Sequence, residues 1–169
     1  MIIKWSDTVE MKMELVPPER KEVIDHLMQF YLYDFTSYLD MDVTSNGKFN
    51  AYPDLYTYLN NRDGRFAYLI TCLNNPAGFA LIEQLQNPLE GDYYMTEFFI
   101  MKKYRRSGLG TWAANELFEH YKGNWKVTQV SNNTTAQAFW QKVISAYTRG
   151  DFIQKTRSDN GNLSQYFKS

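Results

Sequence analysis

Apolar residues recur along this chain in two rhythms. Ala136, Phe139, Trp140, Val143, Ile144 and Tyr147 fall at offsets 0, 3, 4, 7, 8 and 11, one face of a helix over 134–149. Asn132 or Asn133 can cap its start, and Gly150 lies just past its end. Leu109, Ala113, Leu117 and Tyr121 repeat every four residues and predict a second helix over 107–123. Val23, Ile24, Leu27, Phe30, Tyr31 and Leu32 predict a third over 19–40, started by Pro18, and a short helix follows at 54–61. Between them run strand-like stretches: 11–16, 65–73, 78–86, 93–101, 125–130, 151–158 and 162–168. Asn74–Gly78 reads as the turn of a hairpin joining the second and third of these. The order is β-α-α-β-β-β-α-β-α-β-β, a mixed α/β sheet of six to seven strands with about four helices.

The 169 residues suit one domain, here 1–169, with neither an internal repeat nor a linker. Formal net charge is −1, from 18 basic and 19 acidic residues. A non-specific nucleic-acid binder needs a basic surplus to displace counterions, so nucleic acid is not an expected partner. Cys72 is the only cysteine, which excludes an intrachain disulfide and a cysteine-based zinc cluster. Polar residues interrupt the N-terminal MIIKWSDTVEMK too early for a signal peptide, and no apolar run approaches the ~20 residues of a membrane span. A cytoplasmic protein without a metal is the expectation. His26 and His120 are isolated on helices and read as solvated.

The chemistry concentrates where YYMTEFFIM runs through KKYRRSGLGT into a helix. A helix start offers free N–H groups and a favourable dipole to an anion. Glycine lets a phosphate approach the backbone, and arginine adds charge-assisted hydrogen bonds. The spacing is not that of a P-loop, and the loop is too long for a dinucleotide fingerprint. A glycine-rich connection with solvated arginines is the other reading of the turn alone.

Two motifs together carry a resemblance. Arg105, Gly108 and Gly110 fill Arg/Gln-x-x-Gly-x-Gly/Ala after a strand ending at Ile100. Asn133, Ala136, Phe139, Trp140 and Lys142 fill Asn-x-x-Ala-x-x-aromatic-aromatic-x-Lys on the next helix. In these motifs, their order and the elements over residues 11–169, the chain resembles the GNAT superfamily of N-acetyltransferases.

The resemblance implies a central sheet splayed in the middle, an acceptor-side part over about 1–64 and a coenzyme-binding part over about 65–169. It implies acetyl-CoA as co-substrate, an amine as acceptor, and leaves a homodimer open. The amides of Arg106, Ser107, Gly108, Leu109, Gly110 and Thr111, with Arg105, would hold the coenzyme diphosphate. The strand end Phe99, Ile100 and Met101 would pair with the pantetheine arm. Asn133, Phe139 and Lys142 would lie against the coenzyme.

Glu97 is the candidate general base, with Glu83 a weaker alternative; an exposed strand glutamate is the other reading. Many relatives place an acid-donating tyrosine where this chain has Trp140, whose indole has no acid chemistry at neutral pH. Tyr147, on the same face two turns on, is the candidate substitute, although a core role fits its spacing better. Trp140 leaves a coenzyme-binding sensor as the alternative to an enzyme. Residues 31–63 are rich in tyrosine and aspartate. They form either a wall suited to a cationic amine or a solvated loop over an aromatic core.

Overall fold

The computed structural model describes residues 2–6 and 9–169, with side chains from Glu10 onward. Eight strands form one sheet in the order β1-β2-β3-β4-β5-β6-β8-β7. They are β1 (Ile2–Ser6), β2 (Val9–Leu15), β3 (Arg65–Cys72), β4 (Asn75–Gln84), β5 (Tyr93–Ile100), β6 (Asn124–Gln129), β7 (Ile153–Thr156) and β8 (Leu163–Lys168). The helices are α1 (Lys21–Phe35), α2 (Leu55–Leu59), α3 (Leu109–His120) and α4 (Thr134–Thr148). All neighbouring strands are antiparallel except β5 and β6, which are parallel and joined through α3. This is the mixed α/β sheet expected, with one strand more than expected: β1, which pairs with β2 from Ile2↔Met13 to Ser6↔Val9.

Each face of the sheet carries its own core. Val16, Ile24, Leu27, Met28, Tyr31, Leu69, Phe79, Leu81 and Phe99 pack α1 and α2 on one side. Ile70, Ala80, Ile82, Met95, Leu117, Phe118, Trp125, Val127, Trp140 and Ile144 pack α3 and α4 on the other. The alternation along β3 and β4 divides residues between the two faces, as the period of a strand requires.

Two element boundaries differ from the pattern. The predicted first helix ends at Phe35 rather than Asp40, because the Thr36 hydroxyl donates to the Tyr33 carbonyl at 2.7 Å and competes with helix continuation. The β3–β4 hairpin turns at Leu73 and Asn74, both left-handed with φ of 49° and 61°, so Asn75 and Pro76 already belong to β4. Left-handed geometry at both central residues suits the twist of a two-residue hairpin.

Two irregularities shape the centre of the sheet. On β4, Leu81 pairs with Glu97 and Ile82 with Met95, so Thr96 is an extra residue on β5. Such a bulge bends its strand. The β5–β6 ladder covers only Tyr93↔Trp125 to Met95↔Val127, whereas β5 stays paired with β4 as far as Ile100. Beyond the bulge the two parallel strands diverge, which is the expected splay.

Candidate active site

The bulge also sets side-chain direction. Met95 and Phe98 pack towards α3 and α4, while Thr96 and Glu97 both turn towards α1 and α2. Thr96 Oγ1 accepts from the Tyr58 hydroxyl at 3.1 Å. Glu97 accepts from Tyr31 on α1 and, at 2.6 Å, from Tyr52 in the loop before α2. Burial raises the Glu97 pKa, and the two tyrosine hydrogen bonds, which favour the ionised form, oppose that without cancelling it. Both tyrosines are pushed well above the ordinary phenol value, by burial first and then by the adjacent carboxylate, so they stay protonated and donate to it.

A cavity of about 230 Å³ opens where the strands part. Its α1 side carries Tyr31, Phe35, Tyr94, Glu97 and Thr128; its α4 side carries Phe98, Gln129, Asn133, Ala136 and Trp140. Glu97 therefore lies in the cleft. Glu83 does not line it: its carboxylate meets Arg65 at 3.3 Å and the Tyr58 hydroxyl at 3.4 Å.

The glycine turn sits at the far end of β5. Arg106 (φ 63°) and Gly108 (φ 88°) are both left-handed, and Gly108 stands immediately before α3. The first helical bond of α3 runs from Trp112 N–H to the Gly108 carbonyl at 2.9 Å, so the amides of Leu109, Gly110 and Thr111 face the turn as unpaired helix-start donors. A Cβ on Gly108 would meet nothing within 4 Å, so the space in front of the turn is open. Gly110 has a different role. A Cβ there would come to 3.4 Å from both Ile100 and Phe139, so this glycine lets α3 pack tightly against β5 and α4.

The Arg105 side chain does not point to that open space. Its Nε donates to the Ile100 carbonyl at 2.7 Å and its guanidinium pairs with Asp34 of α1. Arg105 thus fastens the turn to the strand end and to α1. Ser107 Oγ donates to the Tyr104 carbonyl at 2.7 Å and stiffens the same turn.

On α4, the Asn133 side-chain oxygen caps the helix by accepting from Ala136 N–H at 3.0 Å, while the residue lines the cavity. Phe139 stacks on Phe98 with ring centroids 6.0 Å apart. Lys142 is exposed. Phe99 packs into the α1 side of the core, Ile100 into the α3 side, and Met101 N–H bonds to the Ala77 carbonyl at 2.9 Å.

Tyr147 lies outside the cavity lining. Its hydroxyl donates to Glu119 in the last turn of α3 at 2.7 Å and accepts from Lys122, just past that helix, at 3.2 Å. Trp140, the last α4 residue that lines the cavity, lies seven residues earlier, about 10 Å at the helical rise.

The sequence pattern does not single out Tyr94, Thr128, Gln129 or Asn162, which also line the cavity. Only the splay, which depends on which strands are neighbours, brings them to it.

A family model described as the acetyltransferase (GNAT) family matches residues 22–144. No curated protein matches the chain. Among solved structures, an acetyltransferase from Thermus thermophilus is 16% identical with a TM-score of 0.70, covering 94% of this chain and 97% of its own. A GNAT-family acetyltransferase from Staphylococcus aureus is 17% identical with a TM-score of 0.63, covering 94% and 98%. The ribosomal-protein-S18-alanine N-acetyltransferase from Escherichia coli is 11% identical with a TM-score of 0.57, covering 92% and 90%.

Proposed function

Because the chain belongs to the acetyltransferase (GNAT) family, we propose that it moves an acetyl group from acetyl-CoA to an amine by direct attack within a ternary complex. The observation that carries this reading is the cleft between β5 and β6, which holds a carboxylate beside an unpaired strand edge and ends at an open, glycine-lined helix start. The amides from Arg106 to Thr111 grip the diphosphate. The β5 edge from Phe99 to Met101 lies along the pantetheine arm, and Asn133 and Phe139 flank it from α4.

An alkylammonium with a pKa of about 10.4 is only about one part in a thousand neutral at pH 7.4. Glu97 takes the surplus proton, directly or through water. The amine nitrogen then bonds to the thioester carbon, the C–S bond breaks, and a backbone N–H on the splayed strand supports the transient oxyanion. The thiolate leaves without a dedicated acid, since a thiol pKa of about 8.5 makes it a fair leaving group, and the second proton that the nitrogen sheds on becoming an amide passes to that thiolate or to water. Where Trp140 replaces the usual tyrosine and Tyr147 lies elsewhere, a coenzyme-binding sensor is the second reading.

Calorimetric titration of coenzyme A into the protein tests the donor, and thiol release with a panel of amines separates enzyme from sensor. Gly108→Ala is the residue-level check. The added methyl strains a left-handed residue by about 1–2 kcal/mol and fills the space in front of the turn. Coenzyme affinity should fall at least tenfold while the variant stays folded at room temperature. Equal affinity in variant and parent removes the turn from the binding site.

A further inference from the structure

On the α1 side of the cavity the one formal charge is Glu97. Among the described residues that line the cavity there is no lysine, arginine or histidine. Cations elsewhere nearby already hold carboxylates. Lys102 and Arg105 pair with Asp34, Lys126 lies 3.0 Å from Glu90, and Arg157 lies 2.7 Å from Asp159. The acidic residues before α2 do not form a wall either: Asp54 pairs with Arg65 at 3.4 Å, and Asp40 and Asp42 are exposed. What faces the cavity is a single carboxylate ringed by Tyr31, Phe35 and Tyr94.

We infer that the acceptor is a slim alkylamine end, whose nitrogen-bearing carbon carries no carboxylate: the end of a monoamine or diamine, or a lysine side chain, and not the α-nitrogen of an amino acid. The inference rests on the acetyl-transfer reading of the cleft. An ammonium is drawn to Glu97, and the methylenes behind it lie on the apolar surface of Tyr31 and Phe35; the Tyr94 ring already carries the Lys126 ammonium, 5.6 Å from its centroid. A carboxylate on the same carbon would enter a partly desolvated site beside Glu97 with no cation to pair with, which disfavours both charges. The cavity of about 230 Å³ must also admit the thioester end, so it leaves room for an unbranched chain.

Pentylamine and norleucine share a carbon chain and differ by that carboxylate; lysine offers both kinds of nitrogen in one molecule. With acetyl-CoA as donor, pentylamine should show a kcat/KM at least about 100-fold above norleucine, and lysine should be acetylated on Nζ by mass spectrometry. Comparable turnover of norleucine, or modification of lysine at the α-nitrogen, overturns the inference. Should no amine turn over, the same pair is titrated calorimetrically onto the protein with and without coenzyme A. Heat from pentylamine but not norleucine supports the inference, and the reverse or no heat from either overturns it. The coenzyme titration stands apart: a protein that binds no coenzyme A defeats the donor assignment, while the amine pair still reports on the cavity.

Discussion

Replacing Glu97 with glutamine lowers the acetyl-transfer rate at neutral pH by about 10²–10⁴-fold, the range for a positioned general base. The substitution keeps the shape of the side chain and an oxygen to accept from one of Tyr31 and Tyr52, so the fold survives and coenzyme affinity stays within about twofold. The pH dependence carries the sign. Glu97 works when ionised, and burial raises its pKa, so the wild-type rate falls as pH drops through a value above the ordinary carboxylate range. In the glutamine variant that limb disappears, and the rate climbs with alkaline pH as the free amine fraction grows. Tyr52→Phe removes a hydrogen bond that favours the carboxylate, so its limb moves further up in pH. An unchanged profile for Glu97→Gln would strip this residue of its role.

Gly78→Ala has the largest expected effect on stability, and through the same strand on the cleft. Gly78 pairs with Ile100 in the middle of β4, and a Cβ there would fall far inside contact distance of the Phe99 carbonyl and 3.0 Å from the Ile100 side chain. Neither neighbour is a loose surface chain: Phe99 is buried against α1, and Ile100 against α3. The clash therefore displaces backbone, at about 3 kcal/mol, and should lower the melting temperature by about 10 °C. Because β5 is pushed off β4 at the stretch proposed to carry the pantetheine arm, coenzyme affinity should fall as well. Thermal melts and the coenzyme titration check both parts. A melting temperature within about 2 °C of the parent would mean that β5 has slack which the close approach of Gly78 denies.

The helices and most strands are legible in the sequence because burial leaves a periodic trace. The stripe from Ala136 to Tyr147 is α4, and the run 93–101 is β5 almost to the residue. The glycine turn is legible for a local reason, since backbone shape and free donors depend on neighbours in sequence. Side-chain partners across the fold are not. Arg105 looks identical in sequence whether it meets a phosphate or Asp34, and only the approach of α1 to the loop decides it. Tyr147 shares a face with Trp140, but a helix carries same-face residues steadily further from one end. Glu97 is found by its position, whereas Tyr31 and Tyr52, 66 and 45 residues away, become its partners through packing. The hairpin turn escapes the pattern because Leu73 in a left-handed conformation contradicts its residue type, and the twist of β3 and β4 overrides that preference.

Thr96 adds one residue that β4 does not match, and the sheet's opening follows from that surplus. A chain from which it were excised would regain an even count, and β5 could run straight alongside β6 past Met95, gaining main-chain bonds. Such a protein should melt later and accept no ligand, its central seam zipped shut. The site and the sheet therefore compete for the same few peptide groups.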